Sequence, residues 1–221
     1  MRLFFSLIFM KLLLSSKPID HILVVVKIPP IYLLMKEPKL YMLLLGSKAP
    51  QRNVEQHDYF FGIAYSLKEL VPQIIQFWPE AGNSIHVDGW REINTVDGYA
   101  IKVVLAGEAP VRSSKRLFFV NLGGYLSNQL VEQHHIILGV HNDRISAIQE
   151  AKKTIFFKKT SIKGANSHID EKYGIDVDDI YRIEDILTPD LKSKYQIDIQ
   201  PCDNLEEDAI HLGYFKLDKL Q

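Results

Sequence analysis

The chain has 221 residues, 47% of them hydrophobic and 24% charged, with a formal net charge of −1. That balance belongs to a globular protein and excludes wholesale electrostatic attraction to nucleic acid or to an anionic membrane. The one cysteine, Cys202, excludes an internal disulfide and a cysteine-based metal cluster, and suits a reducing cytoplasm.

Residues 1–38 stand apart as an apolar extension. Arg2 followed by Leu3–Met10 and Leu12–Leu14 has the layout of a signal or anchor, but Lys11, Lys17, Asp20, Lys27 and Pro29-Pro30 break the apolar runs. A third reading is an upstream translated segment, with the true start at Met35. Unless this segment is an anchor, a membrane is not expected as a partner.

Tyr41–Leu45 reads as a buried strand ended by Gly46, followed by a loop, Gly46–Asn53, and a second strand, Glu55–Ile63. Along that second strand Glu55, His57, Tyr59, Phe61 and Ile63 share one face, the more apolar one, expected to meet the core. Ser66 is a candidate N-cap with Glu69 in the capping-box position, while Pro72 predicts a kink or a later helix start. Trp90–Thr95 and Tyr99–Leu105 flank Asp97-Gly98, a hairpin signal. Ala106–Lys115 reads as a linker. The pattern then resumes with strand Phe118–Leu122, loop Gly123–Leu130, a strand from Glu132 to Val140, and a helix Arg144–Phe157 capped by Asp143. Ile180–Leu187, Tyr195–Gln200 and His211–Leu217 read as further strands.

The resumption is close to a repetition. Leu40–Ile63 aligns without a gap on Leu117–Val140, 77 positions on (134 minus 57), matching Val54-Glu55-Gln56-His57 to Val131-Glu132-Gln133-His134. His86-Val87-Asp88 is echoed by His168-Ile169-Asp170, 82 positions on (168 minus 86). The expected fold is α+β: two tandem β-β-α-β-β-like repeats, 39–105 and 116–221, each an antiparallel sheet covered by a helix. The halves are expected to be related by an approximate twofold axis, and a homo-oligomer is compatible with the same pairing.

A repeat that preserves polar residues points to more than packing. Strand and helix lengths of roughly 20 Å carry the chain up, down and back, which gathers Gly46, Glu55, His57, His86 and Asp88 at one sheet end. The same path gathers Gly123, Gly124, Tyr125, Glu132, His134, His168 and Asp170 in the second half. These twelve residues are the candidate ligand site. The eight acids and imidazoles among them (Glu55, His57, His86, Asp88, Glu132, His134, His168, Asp170) also form a donor set suited to a divalent metal. Three uses stay open: a polar lock at the core rim, a metal or small-ligand site, and acid–base catalysis. Gly123-Gly124-Tyr125 offers either an anion nest or a turn needing positive φ. Asp176-x-Asp178-Asp179 resembles a calcium loop but lacks its glycine. The basic groups Arg112, Lys115, Arg116 and Lys152, Lys153, Lys158, Lys159, Lys163 read mainly as solvated surface, so nucleic acid is not the expected partner.

Leu45-Gly46, Val54–His57, His86-x-Asp88, Val96-Asp97-Gly98-Tyr99 and Asn121-Leu122-Gly123-Gly124-Tyr125 together resemble a bacterial family catalogued as a domain of unknown function, DUF1543, over roughly Lys39 to Leu187. The resemblance implies a bacterial cytoplasmic protein of two similar halves and brings no catalytic residue, cofactor or partner with it. The chain departs from the pattern at Gly46-Ser47, where its second half has Gly-Gly, at Leu126-Ser127, where Pro-Gly is expected, and in residues 1–38. The function expected is that of a binding module for a small ligand or a protein; the alternative is a divalent-metal-dependent enzyme using the clustered Glu, His and Asp residues.

Overall fold

The computed structural model describes residues 37–108, 113–125, 130–153, 175–203 and 206–221. All of them belong to one unit, Lys36–Gln221. The fold is α+β, with short helices and three antiparallel sheets.

The first sheet runs β10-β3-β1-β2, made from β1 (Lys39–Ser47), β2 (Gln56–Ala64), β3 (His86–Glu92) and β10 (His211–Lys216). Between β2 and β3 the chain climbs back through a 3-10 turn (Leu67–Leu70), helix α1 (Val71–Phe77) and a second 3-10 stretch (Pro79–Ser84). Pro72 falls in the first turn of α1, where its missing N–H costs nothing, so the α-helix starts after the position Ser66 signals. Ser66 makes no side-chain cap, and Glu69 accepts from the Tyr65 backbone N–H at 3.0 Å, one residue ahead of the N-cap, so the expected capping box is not formed.

Another sheet runs β7-β6-β8, from β6 (Arg116–Tyr125), β7 (Glu132–His141) and β8 (Ile175–Arg182). Helix α2 (Arg144–Ala151) begins at a full capping box between Asp143 and Ser146 and ends earlier than predicted, with Lys152 and Lys153 in a turn; the predicted helical residues 154–157 lie outside the described residues. The third sheet joins β4 (Thr95–Val96), β5 (Tyr99–Leu105) and β9 (Tyr195–Pro201), with Tyr99 opposite Pro201 and Leu105 opposite Tyr195. The turn between β4 and β5 has φ of 52° at Asp97 and 77° at Gly98, the left-handed pair that Asp-Gly favours.

Three expectations shift. Trp90–Thr95 is not one strand: β3 ends at Glu92, and the chain turns at Ile93-Asn94 to enter another sheet. Ile183–Ile186, read as strand, is a short helix (α3), and Pro189–Lys194 forms α4; Thr188 caps the latter by accepting from the Leu191 backbone N–H. The single core-facing side expected for β2 is really two. Phe61 and Ile63 join Leu40, Ile93, Ile101, Leu117, Phe119 and Ile197 in a central core, whereas Phe60 and Ala64 join Leu43, Leu45, Leu70 and Ile74 beneath α1. Phe118, Val120, Leu122 and Ala147 form the matching cluster under α2. Sheets buried on both faces require the near-continuous apolar runs seen in β1 and β6.

The C-terminal strand returns to the first sheet, with His211 opposite Trp90 and Lys216 opposite His86. Asp208 anchors that return. Its carboxylate, 5% exposed, accepts from Arg91 Nη2 at 3.1 Å, the Asn94 and Thr95 backbone N–H groups at 2.9 and 3.1 Å, and Asn94 Nδ2 at 3.1 Å.

Two measurements check this account. Asp208→Ala strands the Arg91 guanidinium and two backbone donors, so denaturant titration is expected to show a loss of about 3 kcal/mol; a change below about 0.5 kcal/mol would show the latch to be idle. Burial first, then the Glu92 charge, push the buried Tyr41 phenol up to about 12. A pKa raised in the folded state contributes stability that is complete below the unfolded value near 10 and is lost as pH climbs through 12. Stability should therefore fall by roughly 2–3 kcal/mol across that window in the wild type, and Tyr41→Phe should flatten that decline.

Candidate functional site

Gly46 is where the site is assembled. It lies on β1, the strand flanked on both sides, and its register partners are His57 on β2 and His86 on β3. Cross-strand partners on one face stand about 5 Å apart, so two histidines from distant sequence positions meet over a residue with no side chain. A Cβ at Gly46 would lie 2.5 Å from both Asp88 Oδ2 and His86 Nε2. Glycine is needed here for space, not for φ.

Asp88 arrives by a bulge. Leu45 pairs with Val87 and Leu44 with Gly89, which leaves Asp88 as the extra residue on β3. Val87 keeps to the face beneath α1, fully buried, while Asp88 swings to the His86 side. Glu55, just ahead of β2, completes the group.

The contacts form a ring. His86 Nε2 lies 3.2 Å from Glu55 Oε1 and 3.2 Å from Asp88 Oδ1; His57 Nε2 lies 3.1 Å from Asp88 Oδ2 and 3.9 Å from Glu55 Oε2. Exposure is graded, from 4% for the His86 side chain through 25% for Asp88 to 41% and 46% for Glu55 and His57. The group thus has a buried floor and an open rim.

Sequence reasoning did not reach the residues that hold His86 in place. His86 Nδ1 is 2.9 Å from the Ser84 carbonyl oxygen. A carbonyl only accepts, so Nδ1 carries the hydrogen and donates it to Ser84, which fixes the ring with Nε2 facing the two carboxylates. Ser84 is itself held by a 2.6 Å hydrogen bond to the buried Ser47 hydroxyl and by donation to the Ala81 carbonyl at 2.8 Å. Tyr214 of β10 lies over the His86 ring, 4.3 Å between centroids. No signal in the sequence ties Tyr214 to this place, because β10 comes from the far end of the chain.

The β7-β6-β8 sheet shows a related register. Gly123 pairs with His134, as Gly46 does with His57, and its other partner is Asp176. The shift between Asn121 and Leu122 leaves Asp178 as the extra residue, so Asp176-Val177-Asp178 holds the register positions of His86-Val87-Asp88. His168 and Asp170 lie outside the described residues. His134 Nδ1 is 3.2 Å from Asn121 Oδ1, and its Nε2 is 3.7 Å from Glu132 Oε2.

Two readings of the glycines are corrected. Gly46, Gly123 and Gly124 stand within β1 and β6, not in loops, and none is among the positive-φ residues. Gly123 and Gly124 are paired on both sides and Tyr125 with Glu132 on one, so the stretch is extended strand and not an anion nest. Asp176–Asp179 is strand, not a calcium loop.

Among the described residues, no group of three or more His, Cys, Asp or Glu side chains is arranged so that it could hold a metal ion. A cavity of about 510 Å³ elsewhere, lined in part by Lys115, Arg116, Arg182, Glu184 and Asp198, contains none of Glu55, His57, His86 and Asp88. Arg116 there donates to the Ser113 and Lys115 carbonyls, and Arg182 pairs with Glu184.

The model of the family described as Domain of Unknown Function (DUF1543) matches residues 52–103. The crystal structure of a protein Il1583 from Idiomarina loihiensis is similar in fold, with a TM-score of 0.57 and 22% identity over 82% of this chain and 98% of that one. No curated protein matches the chain in sequence. The resemblance to DUF1543 covers the stretch that carries Glu55, His57, His86 and Asp88.

Proposed function

We propose that the protein is a binding module whose small ligand is a cation, taken up by Glu55, His57, His86 and Asp88. One observation carries this reading. Asp88 Oδ2 is buried and has no hydrogen-bond partner although His57 Nε2 is 3.1 Å away. A carboxylate out of water without a donor is costly. The four side chains bring two carboxylates together with no lysine or arginine among their ion-pair contacts. A cation entering over the half-exposed Glu55 and His57 supplies what is missing.

The β2-β1-β3 and β7-β6-β8 arrangements support a wider reading, in which the chain is built from two β-β-α-β-β-like copies, 39–105 and 116–221, joined by the stretch 106–115. The second copy then lends its last strand, β10, to the first. Among the described residues no helix is long and apolar enough to cross a membrane. A bacterial cytoplasmic setting with a small ligand, rather than nucleic acid, accords with the lone Cys202 and the charge of −1. The alternative, a divalent-metal-dependent enzyme, is favoured by the open rim, which would leave a bound ion one side free for a substrate.

Asp88→Asn separates a binding site from a lock. It removes one charge and supplies an amide donor to the neighbouring carboxylate. If the cluster is a ligand site, the unliganded variant should be about 1 kcal/mol more stable than wild type, because repulsion is relieved. A lock would instead lose a comparable amount. Thermal unfolding of both proteins with and without small cations, at matched ionic strength, reads the outcome: the cation-dependent rise in Tm should be confined to wild type, and equal rises in both would sink the proposal.

A further inference from the structure

Resting on the reading of this cluster as a cation site, we infer that its ligand is an organic ammonium ion, a charged end with N–H groups carried on an apolar chain. The charged end follows from Asp88. Its buried Oδ2 has no hydrogen-bond partner, and no lysine or arginine is among the ion-pair contacts of Glu55, His57, His86 and Asp88. That oxygen lacks a hydrogen as well as a charge. A primary ammonium group supplies both, whereas an alkali cation or a quaternary ammonium ion supplies the charge alone.

The apolar chain follows from β10. Its register on β3 passes from Leu212 opposite Gly89 to Phe215 opposite Val87, so Gly213 and Tyr214 together stand opposite Asp88. Phe215 turns to the core beneath α1, and His211 stacks on Trp90, which belongs to that side too. Leu212 and Tyr214 therefore project to the other side, the one that carries the cluster. The Tyr214 ring lies 4.3 Å from that of His86, and Leu212 Cδ2 occupies space that a Gly89 side chain would need.

Leu212 is 78% exposed and Tyr214 is 65% exposed. One exposed apolar side chain is ordinary on a protein surface. Two on one face, beside a carboxylate oxygen without a partner, make a charged socket with an apolar lip. A hydrated inorganic ion gains nothing from that lip, but an alkyl chain leaving the ammonium group is covered by it. Entry is over the rim, where Glu55 and His57 are 41% and 46% exposed. Gly46 keeps the floor clear, since a Cβ there would lie 2.5 Å from Asp88 Oδ2. The ammonium group takes the place of His57 Nε2 beside Asp88 Oδ2 and donates to Asp88 and Glu55.

The test uses the whole chain and a homologous series of methylammonium, propylammonium and hexylammonium, read by calorimetry and by Tm. K⁺ and tetramethylammonium at the same ionic strength, and hexanol, serve as comparisons and are expected not to bind. Each added methylene should tighten binding about two- to fourfold until the chain has passed Leu212. Leu212→Ser, a change at an exposed position, should flatten that dependence while preserving the binding of methylammonium. Asp88→Asn should weaken every member of the series at least about tenfold. An affinity that ignores chain length, a slope identical in wild type and Leu212→Ser, or hexanol binding as tightly as hexylammonium would overturn the inference. If K⁺ and methylammonium raise Tm in wild type but not in Asp88→Asn, and longer chains add nothing, the organic ligand fails and the cation site stands. If no cation acts on the wild type, both fail.

Discussion

A β-sheet brings residues together by register, and the position of Gly46 on a doubly flanked strand is the constraint on which the cluster depends. Its two partners, His57 and His86, come from opposite sides of the strand and are 29 residues apart in sequence (86 minus 57). The absence of a Cβ lets the His86 ring and the Asp88 carboxylate share the space above the backbone. The bulge on β3 is equally necessary. Without it Asp88 would alternate regularly with its neighbours, and the whole strand beyond it would change face relative to β1. With it, Val87 and Trp90 both remain on the α1 side while His86 and Asp88 reach the other.

The rest of the fold holds that register still. The sheet carrying the cluster is packed on both faces, by α1 and its 3-10 turns on one and by the central core on the other. Tyr59 and Phe61 meet Phe119 of β6 at ring separations of 5.5 and 5.3 Å, which ties the His57 strand to the neighbouring sheet. The pairing of β5 with β9 and of β3 with β10 then stitches early and late segments together. Asp97 adds a link by accepting from the Val140 backbone N–H at 2.9 Å. Residues near each end of the described chain therefore support one site.

Much of this was legible in the sequence, for identifiable reasons. The Asp97-Gly98 turn, the Asp143 cap and the displaced helix start at Pro72 are local, and local chemistry decided them. Glu55 and His57 were placed on one face because strand alternation is strict. His86 and Asp88 were brought to the same end by element lengths alone. The bulge was not legible: nothing in His86-Val87-Asp88 says whether its first and last residues share a face by simple alternation or by an inserted residue. The same gap hid Asp176-Val177-Asp178, where the apolar residue between two acids was the available signal. Glycine usually ends a strand, which points Gly46 and Gly123 to loops; at Gly46 it is side-chain crowding across the sheet that selects glycine. The helical turn at Ile183–Ile186 lost to its β-branched composition, and the partner of β10 depended on tertiary packing.

A comparison within the molecule separates structure from function more sharply than the cluster does alone. Asp208 and Asp88 are both carboxylates at the border of the same sheet. Asp208 receives four hydrogen bonds from Arg91, Asn94 and Thr95, all at 2.9–3.1 Å. Asp88 has a buried oxygen with no hydrogen-bond partner, and its neighbours are a second carboxylate and two imidazoles, one with its Nδ1 hydrogen committed to Ser84. The fold can satisfy a carboxylate in this region, and at Asp208 it does. The Ser47–Ser84 pair likewise clips β1 to the turn before β3 with complementary partners. Fastening is thus already provided beside the cluster by groups suited to it. The buried Oδ2 of Asp88 is therefore left without a hydrogen-bond partner in a place where the fold has satisfied its other carboxylate and its clip.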